Sequence, residues 1–155
     1  GGGGVARCIG VATRGGVVQG AGSAVRVGGA DLSREHCRSG GLERGIDRYG
    51  FGQLSRLAQT AGCTRFHVVE ARLARRLLMT QDRAHANAFH ITQEFLAMML
   101  GVRRVGITKA ASSLQKRGLI RYSRGNIIVL DRRALKAASC GCYKSDRESY
   151  DRIFA

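Results

Sequence analysis

Apolar residues recur every three to five positions along residues 42–61, at Leu42, Ile46, Tyr49, Leu54, Leu57 and Ala61. That spacing places them in one stripe on a helix, so a helix is predicted from residue 42 to about residue 66. Gly45, Gly50 and Gly52 weaken it, each by ~1 kcal/mol relative to alanine. A stripe this long needs a partner surface, either the rest of its own domain or the same helix of a second copy. Val69, Leu73, Leu77 and Leu78 form a broader apolar face that predicts a second helix over 68–80, with Arg72, Arg75 and Arg76 turned away. Residues 81–89 read as a polar connection.

The next segment carries the most specific pattern. Thr92 is a good N-cap, and Gln93 and Glu94 follow in the first turn, where the helix dipole favours acidic and polar groups. Phe95, Leu96 and Met99 supply the apolar face of a helix running to about residue 100, and Gly101 ends it where a left-handed backbone is needed. After Gly101-Val102-Arg103, Ile107, Ala110, Ala111 and Leu114 recur at threes and fours and predict a helix over 104–117. Ala97 is small enough to let the two helices approach closely, Gly101 makes the turn, and Ile107 lies on the inner face of the second helix. Together these features describe a helix-turn-helix whose second helix enters a major groove. Residues 119–123 and 126–130 are strand-like and separated by Arg124-Gly125, a hairpin signal. This hairpin is the wing, with Arg121 and Arg124 near its tip. Asp131 then caps a short helix over 132–139.

Composition sharpens this reading. Lysine and arginine total 26 against 11 acidic residues, a formal charge of +15 that suggests a polyanionic partner. Residues 91–136 hold ten of the basic residues and only Glu94 and Asp131 as acids, so the excess is concentrated in the helix-turn-helix. By contrast, 16 of the 22 glycines fall in the first 52 residues, where they raise the entropic cost of order. Residues 1–40 are therefore expected to be poorly ordered, apart from a short strand over 24–27 and a short helix over 30–38.

Other chemistries find little support. No apolar run approaches the ~20 residues needed to span a bilayer, and the start does not resemble a signal peptide, which points to the cytoplasm. No phosphate loop, paired catalytic carboxylates or Ser/His/Asp set can be assembled, so no enzymatic activity is expected. Cys8, Cys37, Cys63, Cys140 and Cys142 are odd in number and irregularly spaced, a poor disulfide framework. Cys140-Gly141-Cys142 offers two thiolates, half of a four-ligand site, and no histidine near them in sequence completes it. Neither a metal nor a cofactor is expected, and His67, His85 and His90 read as surface residues. A non-enzymatic RNA- or protein-binding module is the alternative class, although nine Phe and Tyr with no Trp make a poor stacking platform.

The stretches Ile91-Thr92-Gln93-Glu94-Phe95-Leu96-Ala97, Leu100-Gly101-Val102-Arg103-Arg104 and Leu114-Gln115-Lys116-Arg117-Gly118-Leu119-Ile120-Arg121-Tyr122 resemble the DNA-binding domain of the Crp/Fnr family of bacterial regulators. Upstream, Leu57-Ala58-Gln59-Thr60-Ala61 and Glu70-Ala71-Arg72-Leu73-Ala74-Arg75 resemble the family's dimerisation helix and the first helix of its DNA-binding domain. More faintly, residues 17–38 resemble the tail of the family's sensory β-roll. The resemblance implies an α+β fold, mainly helical with a small sheet: a winged helix-turn-helix over 67–143, a dimerisation helix over 41–66 and a C-terminal tail over 144–155. The sensory domain would be a remnant over 1–40, too short to enclose a cyclic nucleotide, and an inactive truncated regulator is a further alternative. The implied partners are double-stranded DNA in the nucleoid, a second copy, and RNA polymerase. DNA would be met by Thr92, Arg103, Arg104, Val105, Gly106, Thr108, Lys109, Lys116, Arg121 and Arg124. In the family's best-known members an Arg-Glu pair and a further arginine read bases, whereas here those positions hold Arg104, Val105 and Lys109. Val105 cannot accept a hydrogen bond from cytosine, so a different half-site is expected. Family members that bind an iron-sulfur cluster use four cysteines in and around the sensory domain, a set that Cys8, Cys37 and Cys63 do not reproduce.

Overall fold

A computed structural model describes residue 23 and residues 25–154. Its elements run α1 (Gly29–Arg38), α2 (Gly40–Phe66), α3 (Val69–Ala84), β1 (Ala88–His90), α4 (Gln93–Leu100), α5 (Arg104–Lys116), β2 (Ile120–Ser123), β3 (Asn126–Val129), α6 (Arg132–Ala138) and α7 (Cys142–Phe154). The apolar periodicities converge on one core. Leu73, Leu77 and Leu78 of α3 pack with Leu96 of α4, Ile107 and Leu114 of α5, Ile120 and Ile127 of the hairpin, Leu135 of α6 and Tyr143 of α7. This is an α+β winged helix-turn-helix preceded by a long helix.

The three strands form an antiparallel sheet in the order β1-β3-β2, with Ile127 paired to Phe89 on one side and Tyr122 on the other. Between β2 and β3, Arg124 (φ 50°) and Gly125 (φ 85°) both adopt the left-handed conformation. Two such residues match the twist that a two-residue hairpin needs.

Helix α2 spans the whole predicted stripe despite its glycines, and among its residues only Cys63 is buried. Ile46, Tyr49, Leu54 and Leu57 are exposed, the last two at 66% and 65%, as is Ala61, while Leu42 is half-buried. Helices α1 and α7 lie against α2.

Several expectations change. Arg72 and Arg75 do not turn away from the core but are both buried. Arg72 donates to the Leu100 carbonyl oxygen and to Thr64 Oγ1, and Arg75 donates to Asp146. Long side chains that reach acceptors can enter a core their charge would otherwise bar them from. The polar connection over 81–89 contains β1, whose order comes from pairing with β3 and not from its own short sequence. The expected tail over 144–155 is helical through residue 154 as part of α7, which Tyr143 and Asp146 attach to the domain. Residues 25–27 form no strand, pairing with no neighbour among the described residues, and Val25 is 90% exposed. The expectations placed on residues 1–22 and 24, including Cys8 and most of the β-roll remnant, lie outside the described residues.

Candidate nucleic-acid interface

The helix-turn-helix is held together at each point where its sequence is distinctive. Thr92 caps α4, its Oγ1 accepting from Phe95 N–H at 3.2 Å. Gly101 terminates α4 in the left-handed conformation (φ 61°) and donates its N–H back to that helix. Ala97 and Ile107 are buried across the angle between α4 and α5. Thr108 on α5 donates to Gln93 Oε1 at 2.8 Å and to the Arg104 carbonyl at 3.1 Å, which links the start of α4 to the exposed side of α5.

Ile107, Ala110, Ala111 and Leu114 face the core, leaving Arg104, Val105, Thr108, Lys109 and Lys116 exposed. Arg103, the N-cap, is exposed as well, and Gly106 is half-buried. Arg117 is engaged with Glu70 at 2.7 Å. The first turn of α5 contains no acidic side chain. An amide-rich helix start with basic side chains around it attracts phosphate oxygens.

The wing is docked against this unit through groups that sequence alone did not single out. Gln115 Oε1 accepts from Tyr122 N–H at 2.7 Å, and the Tyr122 hydroxyl donates to the Ile91 carbonyl at 3.3 Å. Burial pushes the Tyr122 hydroxyl pKa up, against smaller opposing effects of the Gln93 backbone and Arg104. Ile91 N–H donates to Gly125 O at 2.7 Å, and His90 Nδ1 lies 3.0 Å from Asn126 Oδ1. The hairpin therefore stands beside the start of the helix-turn-helix, with Arg124 exposed at its tip and Arg121 exposed on β2. Glutamine, histidine and asparagine carry no periodic signal, so their tying roles emerge only once the elements are packed.

Away from this face the structure changes the surroundings expected for the cysteines and for His67. Cys63, His67, Cys140 and Cys142 form one cluster, so a histidine distant in sequence completes the set that Cys140-Gly141-Cys142 begins. His67 is half-buried there rather than a surface residue, because the end of α2 packs beside the start of α7. Burial, followed by Cys63 and Cys142, pushes the Cys140 thiol pKa up to about 12.

Comparison with known proteins gives the same fold. Residues 71–138 match the Crp-like helix-turn-helix domain. No curated protein matches the chain. Among solved structures, it is similar to FixK2 from Bradyrhizobium japonicum (TM-score 0.66, 17% identity, covering 72% of this chain and 59% of that one). It is also similar to a Crp/Fnr-family structure from Eubacterium rectale (TM-score 0.56, 24% identity, covering 69% and 50%). A Crp-family transcriptional regulator from Thermus thermophilus gives a TM-score of 0.53 at 22% identity, covering 63% and 51%. The chain thus spans between half and three-fifths of the length of these structures. Among the described residues no helix is long and apolar enough to cross a membrane.

Proposed function

We propose that this protein, whose residues 71–138 match the Crp-like helix-turn-helix domain, is a regulator of Crp/Fnr type that binds DNA sequence-specifically and acts on transcription as a homodimer. The observation that carries this reading is the exposed basic side of α5, opposite its buried stripe and continued by Arg121 and Arg124 on the wing. In this reading α5 enters the major groove. Arg104 and Lys109 meet base edges, and Arg103, Lys116, Arg121 and Arg124 meet phosphates. Thr92, Val105, Gly106 and Thr108 complete the contact surface by shape and close backbone approach.

Pairing through the exposed stripe of α2 would present two recognition helices to successive major grooves, about one helical turn (~34 Å) apart. The operator would then be two-fold symmetric. Bound protein acts on transcription by blocking or recruiting RNA polymerase. Selection from random duplexes tests the reading. A two-fold symmetric sequence should emerge and be bound far more tightly than single-stranded RNA at the same salt concentration. Equal affinity for all duplexes and for RNA would replace it with the general nucleic-acid-binding alternative.

A further inference from the structure

Four side chains of types that can ligate a metal converge beside the junction between α2 and α3. Cys63 lies in the last turn of α2 and His67 is its C-cap, so the two sit one turn apart on the same side of that helix. Cys140 follows α6, and Cys142 opens α7. The three thiols are buried and the imidazole is half-buried.

All four ligand atoms lie within 4.8 Å of one another. Cys63 Sγ is 3.6 Å from Cys140 Sγ, and Cys142 Sγ is 3.6 Å from His67 Nδ1. Donors around a tetrahedral ion with metal–sulfur bonds of ~2.3 Å and metal–nitrogen bonds of ~2.0–2.1 Å stand about 3.5–3.8 Å apart. The cluster is therefore close to the size of a single-ion site. A multi-iron cluster would have to fit its own iron and sulfide atoms between donors that are already this close.

We propose that Cys63, His67, Cys140 and Cys142 bind one thiophilic divalent cation of the zinc class in a closed tetrahedral site. Three thiolates and an imidazole select such an ion over magnesium or calcium, which prefer oxygen donors. With all four positions filled by protein, the ion is structural and has no open position for a reacting molecule. Three thiolates on a dication leave one net negative charge, and the Arg75 guanidinium lines the same pocket as Cys63.

The site joins positions 77 residues apart in sequence, at Cys63 and Cys140. It clamps the end of α2 to the junction of α6 and α7 and so fixes the direction in which α2 leaves the helix-turn-helix. This role does not depend on what the protein binds.

The test uses the whole chain, tag-free and reduced, equilibrated with zinc and then with Co2+. One ion per chain should survive gel filtration, and Co2+ should give the intense visible absorption of a tetrahedral site with thiolate charge transfer. Cys63→Ser and Cys142→Ser, which remove direct ligands, should weaken binding by more than the ~10–100-fold that loss of an outer-shell partner costs, whereas Cys37→Ser, at an exposed cysteine outside the cluster, should leave it unchanged. Should the serine variants fail to fold, His67→Cys provides an independent check, because a fourth thiolate should retain the ion and shift the Co2+ spectrum. A weak octahedral Co2+ spectrum in the wild-type chain would overturn the proposal. So would full metal retention by the folded Cys63→Ser/Cys142→Ser double variant, or a metal-free chain carrying a Cys63–Cys140 disulfide.

Discussion

The Arg75 guanidinium on α3 and the Asp146 carboxylate on α7 meet at 2.5 Å, with their side chains only 7% and 11% exposed. Burial works against the Arg75 charge, but the hydrogen bond and proximity of Asp146, aided by Cys63, outweigh it and raise its pKa. Removing one partner of such a pair strands a charge away from water. Asp146→Ala should therefore cost ~3–5 kcal/mol of stability. The double variant Arg75→Met/Asp146→Leu should recover most of that loss, since an apolar pair of similar volume avoids the stranded charge. Urea unfolding of the three proteins checks this, and a double variant no better than Asp146→Ala would refute it.

On α5 and the wing, the two kinds of DNA contact should separate in their energetics. Arg104→Ala should lose ~1–3 kcal/mol on the preferred duplex and relax the preference at one base pair. Arg124→Ala should weaken every sequence alike and reduce the salt slope by about one unit. Titrations on matched and mismatched duplexes at several salt concentrations distinguish them, and a uniform loss for Arg104→Ala would reassign that residue to phosphate contact.

Leu54 and Leu57 are about two-thirds exposed on α2 in the single chain, and pairing with a second copy would cover them. Leu54→Asp and Leu57→Asp should each shift the protein to monomer while leaving the core of residues 73–143 folded. Each should also weaken binding to a symmetric duplex more than binding to a half-site. Sedimentation equilibrium is the measurement, and a wild-type chain that stays monomeric at tens of micromolar would remove the dimer from the mechanism.

Gly125 combines a left-handed backbone with a close neighbour, since a Cβ there would lie 2.6 Å from His90 Cε1 and the exposed imidazole would have to move. Gly125→Ala should destabilise the hairpin by ~1–3 kcal/mol. Adding His90→Ala should restore only the part due to the clash, because the backbone strain persists. Hydrogen exchange at β2 and β3 reports the opening directly. Unchanged protection in Gly125→Ala would show that the turn relaxes into another geometry.

Much of the helix-turn-helix was legible because its signals are local. The N-cap at Thr92, the left-handed stop at Gly101, the buried series from Ile107 to Leu114 and the turn at Arg124-Gly125 each depend on backbone geometry within a few residues. The basic side of α5 followed from the same periodicity, because the positions that do not face the core must face outward. The stripe of α2 was equally legible as a helix, but no rule of spacing says what covers it.

Sequence by itself determined where helices α1 to α6 and the hairpin turn form, and which face of α2 to α5 is apolar, since those properties repeat at the period of the backbone. Only the tertiary structure decided that β1 pairs with β3, that Arg72 and Arg75 enter the core, and that residues 144–154 continue as helix α7 packed against α2. It likewise brought Cys63 and His67 to Cys140 and Cys142. Contacts between residues tens of positions apart leave no periodic trace in the chain. They arise when whole elements pack, and a long polar side chain or a thiol then finds the one partner that the packing has placed beside it.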